Sequence, residues 1–556
     1  MSGPAGTGKT FLIAEIIKTV KIKNIFTDII ILAPTNDAVK VLRKSIKENI
    51  NLTEKDKDLD DYIKNIQTIH SFFELRMKID ENGNQIFDTG TSARRKKIKE
   101  DTLFIIDEAS MVSKDLIELI KHHLDFKLKR SKVMCLFTGD EYQLPPVKED
   151  KSLVFDENEF EIIKLTEIIR QKNGNPIINL TMELRDLITL NKKEHVKFSI
   201  DSFLEKHLSV DKDHLEVIEP NEFNISNIEF FKDMFNGESV VGGFTNKVVN
   251  EYNNYLRYID FSLNSDLIVY ENDNVKENEK IIIKKPSINI HPGGGLEASF
   301  GYSSVRNETK SSMFHIGDVV EIKQIMNENI LGSFIKNTSE RINDLIMGII
   351  GESEGFNDLT YDDKVKTFQN AVKPLDYLSK INIIEVIISD SDESAYTIKT
   401  PLPKSSFFSG IPDSAIPGLT LKRSGKFLLV DRTKNHYFDF QTIMNNLASS
   451  FSSLKKRMTF GDNRNRKMKE YFSKLWKEYY NINDLILDYG FKYSMTIHKL
   501  QGKTVDKIYI DLNDMDYLRI HGLSDKNKMD FYLRLLYVAC TRPKHKIFFI
   551  KNKKQK

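Results

Sequence analysis

Gly3-Pro4-Ala5-Gly6-Thr7-Gly8-Lys9-Thr10 begins two residues into the chain, and Phe11-Leu12-Ile13-Ala14-Glu15-Ile16-Ile17 continues it with helical character. The eight residues match G-x-x-x-x-G-K-[ST] at every fixed position. Glycines let the backbone bend until successive N–H groups point at phosphate oxygens. Lys9 adds a point charge at the β- and γ-phosphates, and the Thr10 hydroxyl is placed to ligate Mg²⁺. The helix that follows offers its N-terminus to the same anion. Residues 3 to 11 thus form the expected binding stretch, with ATP and Mg²⁺ as its ligands. A chance glycine-rich turn is the bland alternative, and a match at every fixed position argues against it.

Hydrolysis of a nucleotide needs a second metal anchor and a group that orients water. Asp107-Glu108-Ala109-Ser110 supplies both directly after the apolar run Thr102–Ile106. Asp107 is positioned to hold Mg²⁺ through water, and Glu108 to polarise the attacking water. Acidic pairs after strands also occur as simple helix caps, but two independent motifs in order favour chemistry. Gly139-Asp140-Glu141-Tyr142-Gln143-Leu144-Pro145-Pro146-Val147 follows another apolar run, 133–137, and puts Gln143 where it can sense the γ-phosphate.

These motifs sit on an α/β pattern. Asp28–Ala33, Thr102–Ile106 and Val133–Phe137 lack polar alternation and are separated by helical spacing, which indicates a parallel sheet covered on both faces. Asn36 to Ile46 reads as a helix capped by Asn36 or Asp37. Asn82-Gly83 marks a hairpin between residues 77–79 and 85–87, followed by the basic block Arg94–Lys97. Residues 171–265 return to helices around the strand 240–244. From about 270 to 440, short runs at 280–283, 317–322, 383–388 and 427–430 suggest a small β-barrel, with a helical excursion over about 339–371. The α/β pattern resumes near residue 480.

Composition bounds the rest. The chain has 556 residues, enough for about three to five domains. Its 82 basic and 80 acidic residues leave a net charge of +2, which excludes a uniformly basic binder but not a locally basic one. Two cysteines, Cys135 and Cys540, exclude a disulfide framework and a four-thiolate zinc site. No apolar run approaches the ~20 residues that span a bilayer, and no signal peptide opens the chain, so a cytoplasmic protein without a membrane partner is expected. Lys455 to Glu478 holds nine basic and three acidic residues with Phe460, Tyr471, Phe472 and Trp476 interspersed. That segment reads either as a strand-binding surface or as an amphipathic helix with a solvated basic face.

The Asp-Glu-Ala-Ser and Gly-Asp-x-x-Gln-Leu-Pro-Pro-Val boxes resemble those of superfamily 1B helicases, the RecD and Dda type. Further segments match that pattern in order: Ala33-Pro34-Thr35-Asn36, Thr68-Ile69-His70-Ser71, Leu165-Thr166-Glu167-Ile168-Ile169-Arg170-Gln171, Phe244-Thr245-Asn246-Lys247, Thr496–Thr504 and Tyr537-Val538-Ala539-Cys540-Thr541-Arg542. The resemblance implies phosphate-sensing roles for Arg170 and Arg542, and strand contacts at Pro34, Thr35, Thr68, His70, Thr245, Asn246, His498 and Gln501. It implies two RecA-like parallel-sheet domains: residues 1–170 with a hairpin pin over about 72–100, and residues 171–270 with 480–556. An SH3-like β-barrel insertion with its helical excursion would occupy 271–479. The implied activity is an ATP-dependent DNA helicase moving 5′-to-3′ in replication, recombination or repair. Single-stranded DNA and duplex junctions, and a single-strand-binding or replication protein, are the expected partners of a monomer.

Two other classes stay open at this point. One is a P-loop ATPase that remodels protein or acts as a switch; the other is a truncated, inactive nucleic-acid-binding relic. A phosphate-binding loop ordinarily follows a buried strand, and the family carries an upstream glutamine motif that holds adenine. Only Met1 and Ser2 precede Gly3 here, so a truncated form or misassigned start is expected.

Overall fold

The computed structural model describes residues 1–4, 6–49, 63, 65–73, 75–79, 85–89, 101–127, 133–146, 149, 151–167, 176–194, 196–210, 213–223, 233–264, 275–277, 279–285, 319–326, 332–378, 380–381, 383–390, 396–397, 420–421, 424–430, 436–458, 465–484, 486–515 and 526–552. Two compact units emerge. One comprises 1–75, 89–268 and 493–556; the other comprises 76–88 and 269–492.

The first unit holds two parallel sheets. In the first, β1 (Asp28–Ala33), β2 (Gln67–Thr68), β5 (Thr102–Ile106) and β6 (Val133–Phe137) lie in the order β2-β1-β5-β6, all pairs parallel. The three long strands coincide with the apolar runs read from the sequence. Alternate residues face opposite sides: Ile29, Ile31, Leu103 and Ile105 pack with α1 (Lys9–Lys23) and α2 (Asn36–Asn49), while Leu32, Phe104 and Ile106 pack toward α4 (Lys114–Lys127). Burial on both faces is why β5, and most of β1, contain almost no polar residue, whereas the edge strand β6 leaves Met134 57% exposed. The cap of α2 is Thr35, whose hydroxyl accepts from the Ala38 N–H at 3.2 Å, one residue ahead of the expected Asn36 and two ahead of Asp37. A short α3 (Ile69–Phe72) follows β2, and the sequence-predicted hairpin forms as β3 (Leu75–Ile79) and β4 (Gln85–Thr89), its turn lying outside the described residues.

The second sheet runs β16-β8-β17-β18-β7, again parallel. It is built from β7 (Leu215–Ile218), β8 (Ser239–Gly243), β16 (Ser494–Thr496), β17 (Val505–Asp511) and β18 (Pro543–Ile550). Its core is shared with α5 (Pro176–Lys193), α6 (Ile200–Leu208) and α13 (Lys526–Cys540). Helix α7 (Asn246–Asn264) follows β8, and the short α12 (Ile497–Leu500) follows β16.

The second unit corrects part of the sequence reading. Its strands β9 (Lys280–Lys285), β10 (Val319–Met326), β11 (Ile383–Asp390), β14 (Ser424–Val430) and β15 (Asp488–Gly490) form an open antiparallel sheet, β14-β11-β10-β9-β15, and not a closed barrel among the described residues. A separate two-stranded ladder joins β12 (Tyr396–Thr397) to β13 (Thr420–Leu421). The helical part is larger than the expected excursion: α8 (Gly332–Glu352), α9 (Tyr361–Leu378), α10 (His436–Lys456) and α11 (Arg466–Asn483). These helices close their own core around Ile346, Leu375, Leu447, Phe451 and Trp476. Phe472 and Trp476 are buried there, with Trp476 edge-on to Phe451 at 5.4 Å. Phe472 and Trp476 therefore face the core at helical spacing, Tyr471 is half-buried with its hydroxyl on Glu352, and Phe460 lies outside the described residues. On the solvated face Lys467 pairs with Glu352.

Candidate active site

The phosphate-binding loop is pinned from both sides by backbone. The Met1 ammonium donates to Phe137 O at 2.8 Å, and Gly3 N to Gly139 O at 3.0 Å. On the other side Ser2 N donates to Ile163 O at 2.8 Å and Leu165 N to Ser2 O at 2.7 Å. Gly6 and Gly8 take φ of 86° and 78°, the left-handed region that a side chain resists, and Gly8 delivers the chain into α1. The Lys9 ammonium lies inside the loop, donating to Gly3 O at 2.7 Å and Pro4 O at 2.9 Å, and the Thr7 hydroxyl closes the turn on Pro4 O at 2.9 Å. Thr10 is half-buried in the first turn of α1, whereas Phe11 is 52% exposed. Ala5 lies outside the described residues.

The acidic pair follows β5. Asp107 N donates to Leu32 O at 3.0 Å, and its carboxylate accepts a short hydrogen bond from the Thr138 hydroxyl. Burial raises the Asp107 pKa, opposed by Thr138, by the Glu108 N–H and by the Lys9 charge. Glu108 adopts a left-handed conformation, φ 51° and ψ 41°, unusual for a residue with a side chain and typical of a functional position. Burial and the neighbouring Asp107 push its carboxyl up to about 7, against the pull of Arg542 and Lys9. Gly502, in the loop after α12, takes φ 79°, a left-handed conformation that a side chain resists, and its Cβ position lies 3.6 Å from Glu108 Oε1, in ordinary contact with this carboxylate.

Arg542, at the end of α13, is 5% exposed. Its guanidinium is held by Val538 O, Lys503 O and the Thr541 hydroxyl at 2.8–3.3 Å. Gln143 is 4% exposed, and its Oε1 accepts from the Gln501 amide at 3.2 Å. The same amide donates to Ser110 Oγ at 3.1 Å. Gln501, which the resemblance assigns to a strand contact, is thus packed on the nucleotide-side loops. Arg170 lies outside the described residues.

Sequence reasoning missed the residues that clasp the Gly139–Leu144 loop. Arg534 Nη1 donates to Glu141 O at 2.6 Å and Gln143 O at 2.9 Å, and the Tyr537 hydroxyl donates to Asp140 Oδ2 at 2.6 Å in a buried setting. Lys503 also pairs with Asp37 at 3.0 Å. No local pattern announces these contacts, because their partners lie hundreds of residues apart; the apolar α13 sequence hides Arg534 and Tyr537 among core residues.

Three of the expected strand-contact residues are helix caps. Thr35 caps α2, Thr68 caps α3 by accepting from Ser71 N at 3.1 Å, and the Thr245 hydroxyl accepts from Val248 N in the first turn of α7. Asp514, also unforeseen, binds Thr245 N, Thr245 Oγ1 and Phe244 N at 2.6–2.8 Å, fixing that loop. Pro34 and His70 are half-buried, with burial lowering the His70 pKa, while Asn246 and His498 are exposed. His498 clusters with Phe244 and Phe531, ring centroids 5.8–6.3 Å apart. Cys540 is fully buried, and burial drives its thiol far up, as expected of a packing residue.

A phosphate loop between parallel strand ends and a helix, with an acidic pair closing the neighbouring strand, defines the class: a P-loop nucleotide-binding α/β protein. Comparisons agree. Residues 1–196 match a family model described as an AAA domain. An uncharacterized protein of Acanthamoeba polyphaga mimivirus is 25% identical over 554 residues, 99% of this chain and 94% of that one. The chain is similar to ATP-dependent DNA helicase Pif1 of Campylobacter jejuni, at 31% identity over 39% of this chain and 45% of the relative. It is also similar to ATP-dependent DNA helicase dda of Enterobacteria phage T4, at 28% identity over 49% of this chain and 54% of the relative. The matched stretches span about half the length of these two helicases.

Proposed function

We propose that this protein is an ATP-dependent DNA helicase of superfamily 1, of the Pif1 and Dda kind, which moves 5′-to-3′ on single-stranded DNA. The observation that carries the reading is the meeting of Lys9, Asp107, Glu108 and Gln143 from the first sheet with Gln501, Gly502 and Arg542 from the second. A switch ATPase needs the first set. A motor needs groups from a second sheet that gain and lose contact as the nucleotide changes.

The donor set suits Mg²⁺. A hydroxyl at Thr10 and a carboxylate at Asp107 are hard oxygen ligands, and this ion is ordinarily held by one or two such groups plus phosphate oxygens. A cage of three acidic or imidazole ligands, absent among the described residues, is not required. Bound there, the ion would neutralise developing charge on the phosphates. Lys9 and the N–H groups of the loop cradle the β- and γ-phosphates. Glu108, ionised, accepts a proton from the attacking water as its oxygen bonds to the γ-phosphorus, while the bond from that phosphorus to the bridging oxygen breaks and ADP leaves with the electron pair; Arg542 stabilises the charge spreading over the transferred group. Gln143, tied to Gln501, passes the state of the γ-phosphate to the second sheet. Strand contacts at Pro34, Thr35, Thr68, His70, Thr245, Asn246 and His498, and phosphate sensing by Arg170, complete the proposed site.

Single-strand-stimulated ATP hydrolysis tests the reading. Stimulation by oligodeoxythymidylate, lost in Lys9→Ala, supports it; hydrolysis indifferent to nucleic acid would support a switch instead.

A further inference from the structure

Helices α9 and α10 of the second unit enclose an open groove of about 960 Å³ that no motif assigns. One wall is a polar stripe. Thr442, Asn446, Ser449 and Ser453 line the groove at intervals that put them on one face of α10. Serine, threonine and asparagine are poor helix-interior residues compared with alanine. The Ser453 hydroxyl donates back to Ser449 O at 2.8 Å, and the stripe turns its hydroxyl and amide groups to the groove.

The groove is also cationic. Lys373, Lys380 and Arg457 line it, no carboxylate does, and none of the three forms an ion pair with a carboxylate among the described residues. The Arg457 guanidinium reaches from the end of α10 to the Thr367 hydroxyl on α9 at 3.2 Å, which fixes it across the groove. At the rim, Tyr377 is 48% exposed, with the Lys380 ammonium 5.3 Å from its ring centroid. The apolar floor, Ile443 and Leu454 included, is buried in the helical core, 8% and 3% exposed.

We propose that this groove is a second binding site for single-stranded nucleic acid, separate from the residues that the motor motifs supply. Three cations match phosphates, the hydroxyl and amide stripe matches phosphate and sugar oxygens, and the exposed Tyr377 ring offers a stacking face for a base. An acidic peptide fits less well. Peptides gain most affinity from apolar anchors in pockets, and here the apolar lining is already buried. The polymer is DNA on the helicase reading, on which this choice rests.

The test uses the full-length chain carrying Lys9→Ala, without nucleotide, so that a failed motor does not obscure a working groove. Single-stranded DNA substituted with 5-iododeoxyuridine should cross-link to Tyr377, and the cross-link should vanish in Tyr377→Ala. In the same background, K373A/K380A/R457A should weaken fluorescein-oligodeoxythymidylate binding by about tenfold and make the log–log salt slope shallower by about 2–3. Ser449→Glu/Ser453→Glu should weaken binding similarly by adding charge of the wrong sign. These side chains are half-exposed or exposed, so an unchanged unfolding temperature is expected. With Lys9 intact, the triple variant should retain its nucleic-acid-free ATP hydrolysis. Unaltered affinity and salt slope in the triple variant, or no cross-link at Tyr377, would overturn the proposal. Loss of ATP-driven unwinding with the groove intact would count against the helicase reading alone.

Discussion

The two parallel sheets of the first unit share an architecture and divide the work. The first sheet carries the phosphate loop, Asp107, Glu108 and Gln143 at the carboxyl ends of its strands, where open α/β sheets place their ligands. The second sheet contributes contacts to those loops: Gln501 to Gln143, Arg534 to Gln143 O, Tyr537 to Asp140, Lys503 to Asp37, and Arg542 near Glu108. On the proposed reading, the first sheet holds the phosphate loop and the water-activating acid, and the second sheet answers to the nucleotide and adds Arg542 to the chemistry. Four changes can break or sharpen that division.

The largest effect is expected from the second sheet. Arg542→Ala should lower DNA-stimulated ATP turnover by about 10³-fold while fluorescent-nucleotide binding persists, because its charge matters most in the transition state. A mild defect would mean that the second sheet is a scaffold only. Glu108→Gln should cost about 10²-fold or more in the same assay. Its pH signature is distinctive. The base works ionised, and with its carboxyl raised to about 7, kcat/KM for ATP should fall as pH drops below that value and level off above it. The glutamine variant should lack this limb.

Tyr537→Phe removes one buried hydrogen bond to a carboxylate, a loss of about 2 kcal/mol. It should lower the unfolding midpoint and reduce DNA-stimulated turnover about tenfold, with basal turnover less affected. Equal loss of both would show that Asp140 acts within the first sheet only. Asp37→Asn is the smallest change. Both partners of this ion pair are partly exposed, so stability should shift by less than about 1 kcal/mol, and the shift should shrink in high salt.

Legibility in the sequence followed the range of the interactions. The phosphate loop and the acidic pair are contiguous, β5 is buried on both faces and β1 nearly so, and β6 keeps the same apolar composition at the sheet edge, so local spacing and composition revealed them. The cap of α2 was misplaced by one or two residues because Thr35, Asn36 and Asp37 all suit that role. Arg534, Tyr537 and Asp514 stayed hidden because each acts on a partner far along the chain. In the inserted unit, alternating β-rich runs suggested a closed barrel, but closure depends on strand pairings that periodicity does not encode. Tyr471, Phe472 and Trp476 among lysines suggested a binding face, until helical spacing turned Phe472 and Trp476 into the core.

The central claim is that ATP hydrolysis at the first sheet drives strand separation. Unwinding of 5′-tailed and 3′-tailed duplexes, compared between the wild-type chain and Lys9→Ala, tests it most directly. The account predicts ATP-dependent unwinding of the 5′-tailed duplex and none by Lys9→Ala. Unwinding of neither substrate by a chain that hydrolyses ATP would contradict it, and unwinding of only the 3′-tailed one would reverse the proposed direction.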